Sequence, residues 1–182
     1  MSAAVVAVWT VGHSNHPIGH FLELLAGAGI TAVADVRSQP WSRRHPQFAR
    51  GPLARSLAGA GIAYVFLGSE LGARTSDRAA WHDGRVDYER LATMAGFKAG
   101  LDRVVTGAAS HRIALMCAER EPLDCHRTIL VSRRLVAHGV DVTRPLADGT
   151  QETHEQTERR LLTRTGEAAD LLTGETEALA RA

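Results

Sequence analysis

Short apolar runs alternate with amphipathic segments along most of the chain. Five runs have the length and composition of buried strands, and they lie at residues 5–12, 31–37, 62–68, 112–117 and 140–146. Between them, apolar side chains recur at helical spacing at residues 17–27, 52–60, 88–107 and 124–138. Near-continuous apolar strands that alternate with helices are typical of parallel sheets covered on both faces. The pattern therefore predicts an α/β fold with a single doubly wound, mostly parallel sheet of about five strands, Rossmann- or flavodoxin-like.

The last part of the chain differs in character from the rest. Residues 151–182 are polar and helix-prone, and their larger apolar side chains are Leu161, Leu162, Leu171, Leu172 and Leu179. We interpret residues 1–150 as an α/β core domain and residues 151–182 as a C-terminal helical extension and tail. The extension either packs at the periphery of the core or docks on a second subunit, in which case the protein is a homodimer.

Charge and cysteine content exclude several classes of protein. The 182 residues carry a net charge of +1, which is far from the basic excess of a dedicated duplex-DNA binder. Two cysteines are too few for a secreted disulfide scaffold. The first apolar run is too short for a signal peptide, and no run reaches the length of a membrane span. We therefore expect a cytoplasmic protein without a membrane partner.

Polar and charged residues follow the predicted strands directly. The first strand is followed by His13 and Ser14, the second by Asp35, Arg37, Trp41, Arg43 and Arg44, the third by Gly68 and Glu70, and the fourth by Cys117, Glu119, Cys125, His126 and Arg127. In open parallel sheets, ligands bind beyond the carboxyl ends of the strands. These side chains should therefore line one rim of the sheet, and the rim is the predicted functional site.

Several rim residues are suited to an anionic ligand. Arg37, Arg43 and Arg127 can each bind a phosphate or carboxylate with two parallel hydrogen bonds. Ser14 lies in a strand-to-helix turn that offers backbone donors, and Trp41 can stack on a base or ring. The chain has neither the glycine spacing of a dinucleotide fold nor a P-loop lysine in this turn. We expect an arginine-rich site for a small anionic molecule or nucleotide, with the cofactor left open.

The same rim carries candidates for catalysis. Glu119 and Asp35 are candidate acids or bases, and His13 is a third titratable group at a strand end. Cys125 and His126 are candidate auxiliary groups. If Asp124 caps a helix, Cys125 lies in its first turn, where the helix dipole favours a thiolate.

A metal centre is an alternative use of the same residues. Cys117, Cys125 and His126 are zinc-type ligands, and Glu119 or a histidine from another loop would be a fourth. The seven-residue gap between the cysteines is not a usual zinc spacing, and a free cysteine at the end of an apolar strand is often core. We therefore interpret Cys117 as a core residue and assign no metal ligands.

Four ordered motifs together resemble one protein family. They are VGHSNHP (11–17), VADVRSQPWSRRHPQF (33–48), YVFLGSELG (64–72) and ALMCAEREPLDCHR (114–127). In this order they are similar to the domain of unknown function 488 family, over roughly residues 5–150. The resemblance implies an α/β domain and no particular activity. Its shared motifs fall on the strand-end residues reached above, among them His13, Asp35, Arg37, Glu119 and Cys125.

Four hypotheses about function remain. The first is an enzyme that acts on a phosphorylated or nucleotide-like small molecule. The second is a nucleic-acid-binding or base-processing protein, a hypothesis suggested by the arginine- and tryptophan-containing loop at residues 37–50. The third is a metal-dependent enzyme or sensor that uses the thiols. The fourth is a non-catalytic domain that binds a partner through residues 151–182.

Overall fold

The computed structural model describes residues 6–146 and 150–165. Within them, strands lie at Ala7–Gly12 (β1), Ala32–Asp35 (β2), Ala63–Phe66 (β3), Trp81–His82 (β4), Arg85–Val86 (β5), Ile113–Cys117 (β6), Asp141–Pro145 (β7) and Gln151–Thr153 (β8). Helices lie at Ile18–Gly27 (α1), Arg50–Gly59 (α2), Gly68–Leu71 (α3), Tyr88–Thr93 (α4), Ala95–Ala108 (α5), Arg133–Ala137 (α6) and His154–Thr165 (α7).

Six of the strands form one sheet in the order β3-β2-β6-β1-β7-β8. All neighbouring pairs are parallel except β7 with β8, which is antiparallel. The five predicted strands are all present, so the prediction of a mostly parallel sheet is confirmed. Because β1 and β2 lie on either side of β6, the carboxyl ends of these three strands are neighbours.

Helices cover both faces of the sheet, as predicted. Strand residues alternate between the faces, so Ile113 and Leu115 of β6 join one apolar cluster and Met116 joins the other. The first cluster contains Phe97 and Leu101 of α5 with Leu130 and Leu135, and the second contains Phe21 and Leu25 of α1 with Leu53 and Leu57 of α2. The doubly wound arrangement follows from this two-sided burial.

Two predicted helices are interrupted. The segment predicted at 88–107 is α4 and α5, separated by Met94 in an extended conformation with ψ of 143°. The segment predicted at 124–138 consists of a 3₁₀ turn at Pro122–Asp124, a π-helical stretch at Arg127–Ser132, and α6. The second interruption lies at the predicted rim, where it changes which side chains enter the site.

The β4–β5 hairpin does not appear among the predicted elements. Its turn residues Asp83 and Gly84 both have positive φ, at 47° and 77°, as a type I′ turn requires. The Asp-Gly pair between Trp81 and Val86 is a recognisable hairpin signal, and it could have been found from the sequence.

The described part of the C-terminal extension packs on the core. β8 continues the sheet beyond β7, and Thr157 and Leu162 of α7 are buried. The division at residue 150 and the homodimer stay predictions. Residues 166–182, with Leu171, Leu172 and Leu179, lie outside the described residues. None of the helices in the described ranges is both long and apolar enough to cross a membrane.

Candidate functional site

A cavity of about 680 Å³ lies at the carboxyl ends of β1, β2 and β6. The loops after these strands supply most of its wall, and residues 73–74 and Tyr88 complete it. Its titratable and aromatic lining residues are His13, Arg37, Trp41, Arg44, His45, Arg74, Tyr88, Cys117, Glu119, Asp124 and His126, and Ser14 also lines it. We call this space the rim cavity.

Backbone hydrogen bonds hold the loops of the rim cavity together. The amides of His13 and Ser14 donate to the carbonyls of Cys117 and Ala118, each at 2.9 Å. The chain passes so close at Gly12 that an added Cβ would lie 1.9 Å from the carbonyl oxygen of Glu119. The turn after β1 is thus fastened to the loop that carries Glu119.

Asp35 and Arg37 form a buried ion pair beneath the cavity. Arg37 donates from Nε to Oδ1 of Asp35 at 2.9 Å and from Nη2 to Oδ2 at 2.7 Å. Tyr64 donates its hydroxyl to Oδ2 at 2.8 Å, and burial and then the Asp35 charge raise the pKa of Tyr64. Both oxygens of Asp35 are therefore engaged, and its side chain is 0 % exposed. This geometry supports a role in positioning Arg37 more than one as a base.

His13 is held as a neutral ring. Its Nε2 accepts from Nη1 of Arg37 at 3.1 Å, because a guanidinium has only donors. Its Nδ1 then carries the proton and donates to the carbonyl of Ser14 at 2.9 Å. The ring stacks on Phe48 with centroids 4.3 Å apart. Burial lowers the pKa of His13 to about 4, and the charge of Arg37 adds to this effect.

Two thiols and a carboxylate meet at the end of β6. The thiols of Cys117 and Cys125 donate to the same oxygen of Glu119, Oε2, at 3.0 and 3.4 Å. Cys117 lines the rim cavity, whereas Cys125 lies behind it and is only 1 % exposed. Cys117 is at once a core residue at the end of β6 and part of the cavity wall.

His126 completes this cluster. Its Nε2 lies 3.1 Å from the carbonyl oxygen of Val36 and must donate there, because a carbonyl only accepts. Its other nitrogen, Nδ1, faces Sγ of Cys117 at 3.7 Å. Ligand atoms of Cys117, Cys125 and His126 all lie within 4.8 Å of one another. We call Cys117, Glu119, Cys125 and His126 the thiol cluster.

The groups of the thiol cluster differ in their readiness to ionise. The neighbouring thiol of Cys125 raises the pKa of Cys117, and burial adds to this effect. The neighbouring thiol of Cys117 lowers the pKa of Cys125, against the effect of burial. Burial raises the pKa of Glu119, but the thiol donors outweigh it, so that the net pKa is lowered.

Cys125 does not lie inside a helix. The expected cap at Asp124 is wrong: the regular turns begin at Arg127, Cys125 is extended, and the carboxylate of Asp124 pairs with Arg164 at 3.0 Å. The carbonyl of Cys125 accepts from the amides of Thr128 and Ile129 and so begins the hydrogen-bond ladder of the helical stretch that follows. This extended residue turns the Cys125 thiol back towards Cys117.

The outer part of the cavity is cationic and aromatic. Trp41 is 55 % exposed, and the guanidinium of Arg43 lies 5.9 Å from its ring centroid. Arg44 and Arg74 line the cavity and are exposed, whereas Arg43 is not part of the lining. Arg74 and Tyr88 were not among the predicted site residues. Arg74 follows β3, so the strand-end rule applied to the third loop could have found it.

Arg127 lies apart from the other predicted residues. Its guanidinium is buried and donates from Nη1 to the carbonyl of Val11 at 2.6 Å. It lines a second cavity of about 610 Å³, at the ends of β1 and β7. The structure thus brings His13, Ser14, Arg37, Trp41, Glu119 and His126 together at the rim cavity, with Asp35 beneath it, Cys125 behind it, Arg43 beside it and Arg127 elsewhere.

Comparison with known proteins identifies the family of this chain. The family model described as domain of unknown function DUF488 matches residues 17–134, well over half of the chain, and the chain belongs to this family. The resemblance seen in the motifs is confirmed. No curated protein and no solved structure matches the chain. The matched region contains the thiol cluster and the Asp35–Arg37 pair, whereas His13 and Ser14 precede it.

Proposed function

We propose that this DUF488 protein is an enzyme that binds a small phosphorylated or nucleotide-like anion in the rim cavity. One observation carries the proposal: a single cavity joins a cationic wall to a wall of thiol, imidazole and carboxylate. An anionic group and a reactive centre of the same small molecule can contact both walls at once. Cavities at the carboxyl ends of parallel strands are the usual ligand sites of such folds.

The contacts support a different set of anion-binding residues from the one that the sequence predicts. Arg44 and Arg74 line the cavity and are the proposed anion ligands. Arg37 is already paired with Asp35 and acts as a positioning residue for His13. Trp41, half exposed at the mouth, is placed to stack on a ring of the ligand. Glu119 is the proposed acid or base, because its carboxylate lines the cavity and contacts both thiols.

A panel of nucleotides, sugar phosphates and acyl phosphates tests the proposal, with turnover and thermal shift as readouts. We expect Arg74→Ala to weaken binding of the active compound by about tenfold, the usual effect of losing one charged hydrogen bond. Glu119→Gln should retain binding and lose turnover. Arg55→Ala, an exposed arginine on α2, is the matched control. The absence of turnover and of any thermal shift across the panel would contradict the proposal.

A metal centre is the second candidate, and the geometry of the thiol cluster favours it. Two sulfurs and Nδ1 of His126 lie within 4.8 Å of one another. The Val36 carbonyl holds the other nitrogen of this imidazole, which is how metal-binding histidines are commonly oriented. Two thiolates and an imidazole suit zinc. Glu119 or water would take the fourth position and give the cavity a metal-bound ligand site.

Elemental analysis of protein purified without a histidine tag decides whether a metal is bound. We expect about one zinc per chain, lost on Cys125→Ser and on His126→Gln. His45→Gln, a cavity histidine outside the thiol cluster, should keep the metal. Sub-stoichiometric metal that Cys125→Ser leaves unchanged would remove this candidate.

A further inference from the structure

The second cavity has an unusual wall of arginines. It lies between the carboxyl ends of β1 and β7, and its charged lining residues are Arg120, Arg127, Arg144, Arg160, Glu121 and Glu152. Four guanidiniums against two carboxylates leave a net charge of +2. The paired segments after β1 and β6, which hold Glu119 against Gly12, separate it from the rim cavity.

Arg127 is a buried cation without a counter-ion. Its side chain is 2 % exposed, and its Nη1 donates to a neutral carbonyl, that of Val11. Nε of Arg127 has no hydrogen-bond partner, and none of the carboxylates in residues 6–146 and 150–165 forms an ion pair with this guanidinium. Burying an unpaired charge is costly, so proteins rarely keep one without a function.

Arg144, on β7, is a second buried guanidinium with neutral hydrogen-bond partners. It is also 2 % exposed, and its partners are neutral: Oγ1 of Thr157 at 2.6 Å and Nδ1 of His154 at 3.1 Å. Its Nε has no partner either. The pKa of Arg144 is lowered to about 10, first by burial and then by the charge of Arg127. The charges of the two guanidiniums disfavour each other, and neither guanidinium has a carboxylate as a hydrogen-bond partner within the described residues.

The carboxylates of this cavity are already used. Glu152 accepts from Nε of Arg160 at 2.9 Å, and Glu121 lies 3.0 Å from Nη2 of the same arginine. The exposed side chain of Arg160 thus forms ion pairs with both carboxylates of the cavity. The hydroxyl of Thr10, buried on β1 in the same wall, has no hydrogen-bond partner. Unsatisfied buried donors that line one cavity indicate a missing acceptor.

We propose that the second cavity binds a small dianion of the phosphate type, between Arg127 and Arg144 and separately from the ligand of the rim cavity. A dianion supplies the two negative charges that the lining lacks. Guanidinium groups match the oxygens of phosphate with parallel hydrogen bonds. Arg120, at the exposed side of the cavity, provides a further cation for the same group.

Titration calorimetry of the full chain with inorganic phosphate tests this site. The titration uses an Arg44→Ala/Arg74→Ala background, which removes the proposed anion ligands of the rim cavity and leaves the second cavity intact. We expect phosphate to bind once per chain in this background. Adding Arg120→Ala or Arg127→Met should weaken that binding at least about tenfold, whereas adding Arg43→Ala, outside both cavities, should leave it unchanged.

The two proposals fail in different ways. Phosphate binding that persists without Arg44 and Arg74 and depends on Arg120 supports the second cavity, whatever the rim cavity binds. Absence of phosphate binding in the double variant at low ionic strength overturns the proposal, as does binding that Arg120→Ala leaves unchanged. Because Arg120 is exposed, its variant still gives an answer if Arg127→Met fails to fold.

Discussion

Arg37 donates to Asp35 through two nitrogens and to Nε2 of His13 through a third, at 3.1 Å. One buried guanidinium therefore joins the ends of β1 and β2. The three groups are buried, and the ring of His13 rests on Phe48. The inner wall of the rim cavity is for this reason a rigid polar network.

Neutralising the carboxylate of this network should destabilise the protein strongly. Asp35→Asn leaves the buried Arg37 charge unpaired, and we expect a loss of about 3 kcal/mol in the free energy of unfolding. Urea unfolding measures it. Asp83→Asn, at an exposed turn, is the matched control and should change stability little. A loss below about 1 kcal/mol, well under the cost of breaking a buried pair, would argue against the network as a stabilising unit.

Acid should weaken the folded state through His13. The folded ring takes up a proton near pH 4 and the unfolded one near its ordinary pKa of 6.5. Its contribution to stability is complete above pH 6.5 and is lost as the pH falls towards 4, by about 3 kcal/mol in all. We expect His13→Asn to flatten this part of the pH profile of urea unfolding. His111→Asn, at an exposed histidine, should leave the profile as it is, and identical profiles for wild type and His13→Asn would contradict the prediction.

The close approach at Gly12 should not tolerate a side chain. Gly12→Ala places Cβ against the Glu119 carbonyl, so the two loops must separate, at a cost of about 1–3 kcal/mol. Glu119 moves with its loop, and ligand binding in the rim cavity should weaken as well. In Gly19→Ala nothing lies within 4 Å of the new Cβ, and this helical site should gain up to about 1 kcal/mol. Equal stability of the two variants would show that the loops can separate freely.

The exposed ring at the cavity mouth predicts a preference for a ligand with a base. Trp41→Ala should weaken binding of a nucleotide by about 1–3 kcal/mol and leave binding of inorganic phosphate unchanged. Fluorescence titration of both ligands measures the difference. Equal losses for the two would assign Trp41 a structural role at the mouth.

The same loop also permits a test of nucleic-acid binding. With a net charge of +1, the chain should bind oligonucleotides weakly and only at low salt. A mobility shift that resists 200 mM salt, roughly the upper end of the range over which such contacts weaken, and that depends on Arg43 and Trp41 would reassign the rim to nucleic acid.

Interruptions in regular structure decide how the thiol cluster forms. Periodicity alone predicts one helix over residues 124–138, which would aim Cys125 and His126 in directions about 100° apart. In the fold, the 3₁₀ turn at Pro122–Asp124 and the extended Cys125 bring both side chains to Cys117. The weakness of local signals for 3₁₀ and π turns explains why sequence reasoning separated the two cysteines.

The sequence by itself determined the five parallel strands, the two covered faces and the rim on which chemistry is concentrated. Apolar periodicity is a local property, and the carboxyl ends of parallel strands share one edge. Only the tertiary structure decided which rim residues meet. The strand order sets β1 between β6 and β7, so that His13 and Arg127, both near the end of β1, face different cavities. Side-chain pairing also distinguishes the arginines of the rim cavity, because Asp35 already binds the guanidinium of Arg37. Arg44 and Arg74 are the other two arginines that line this cavity.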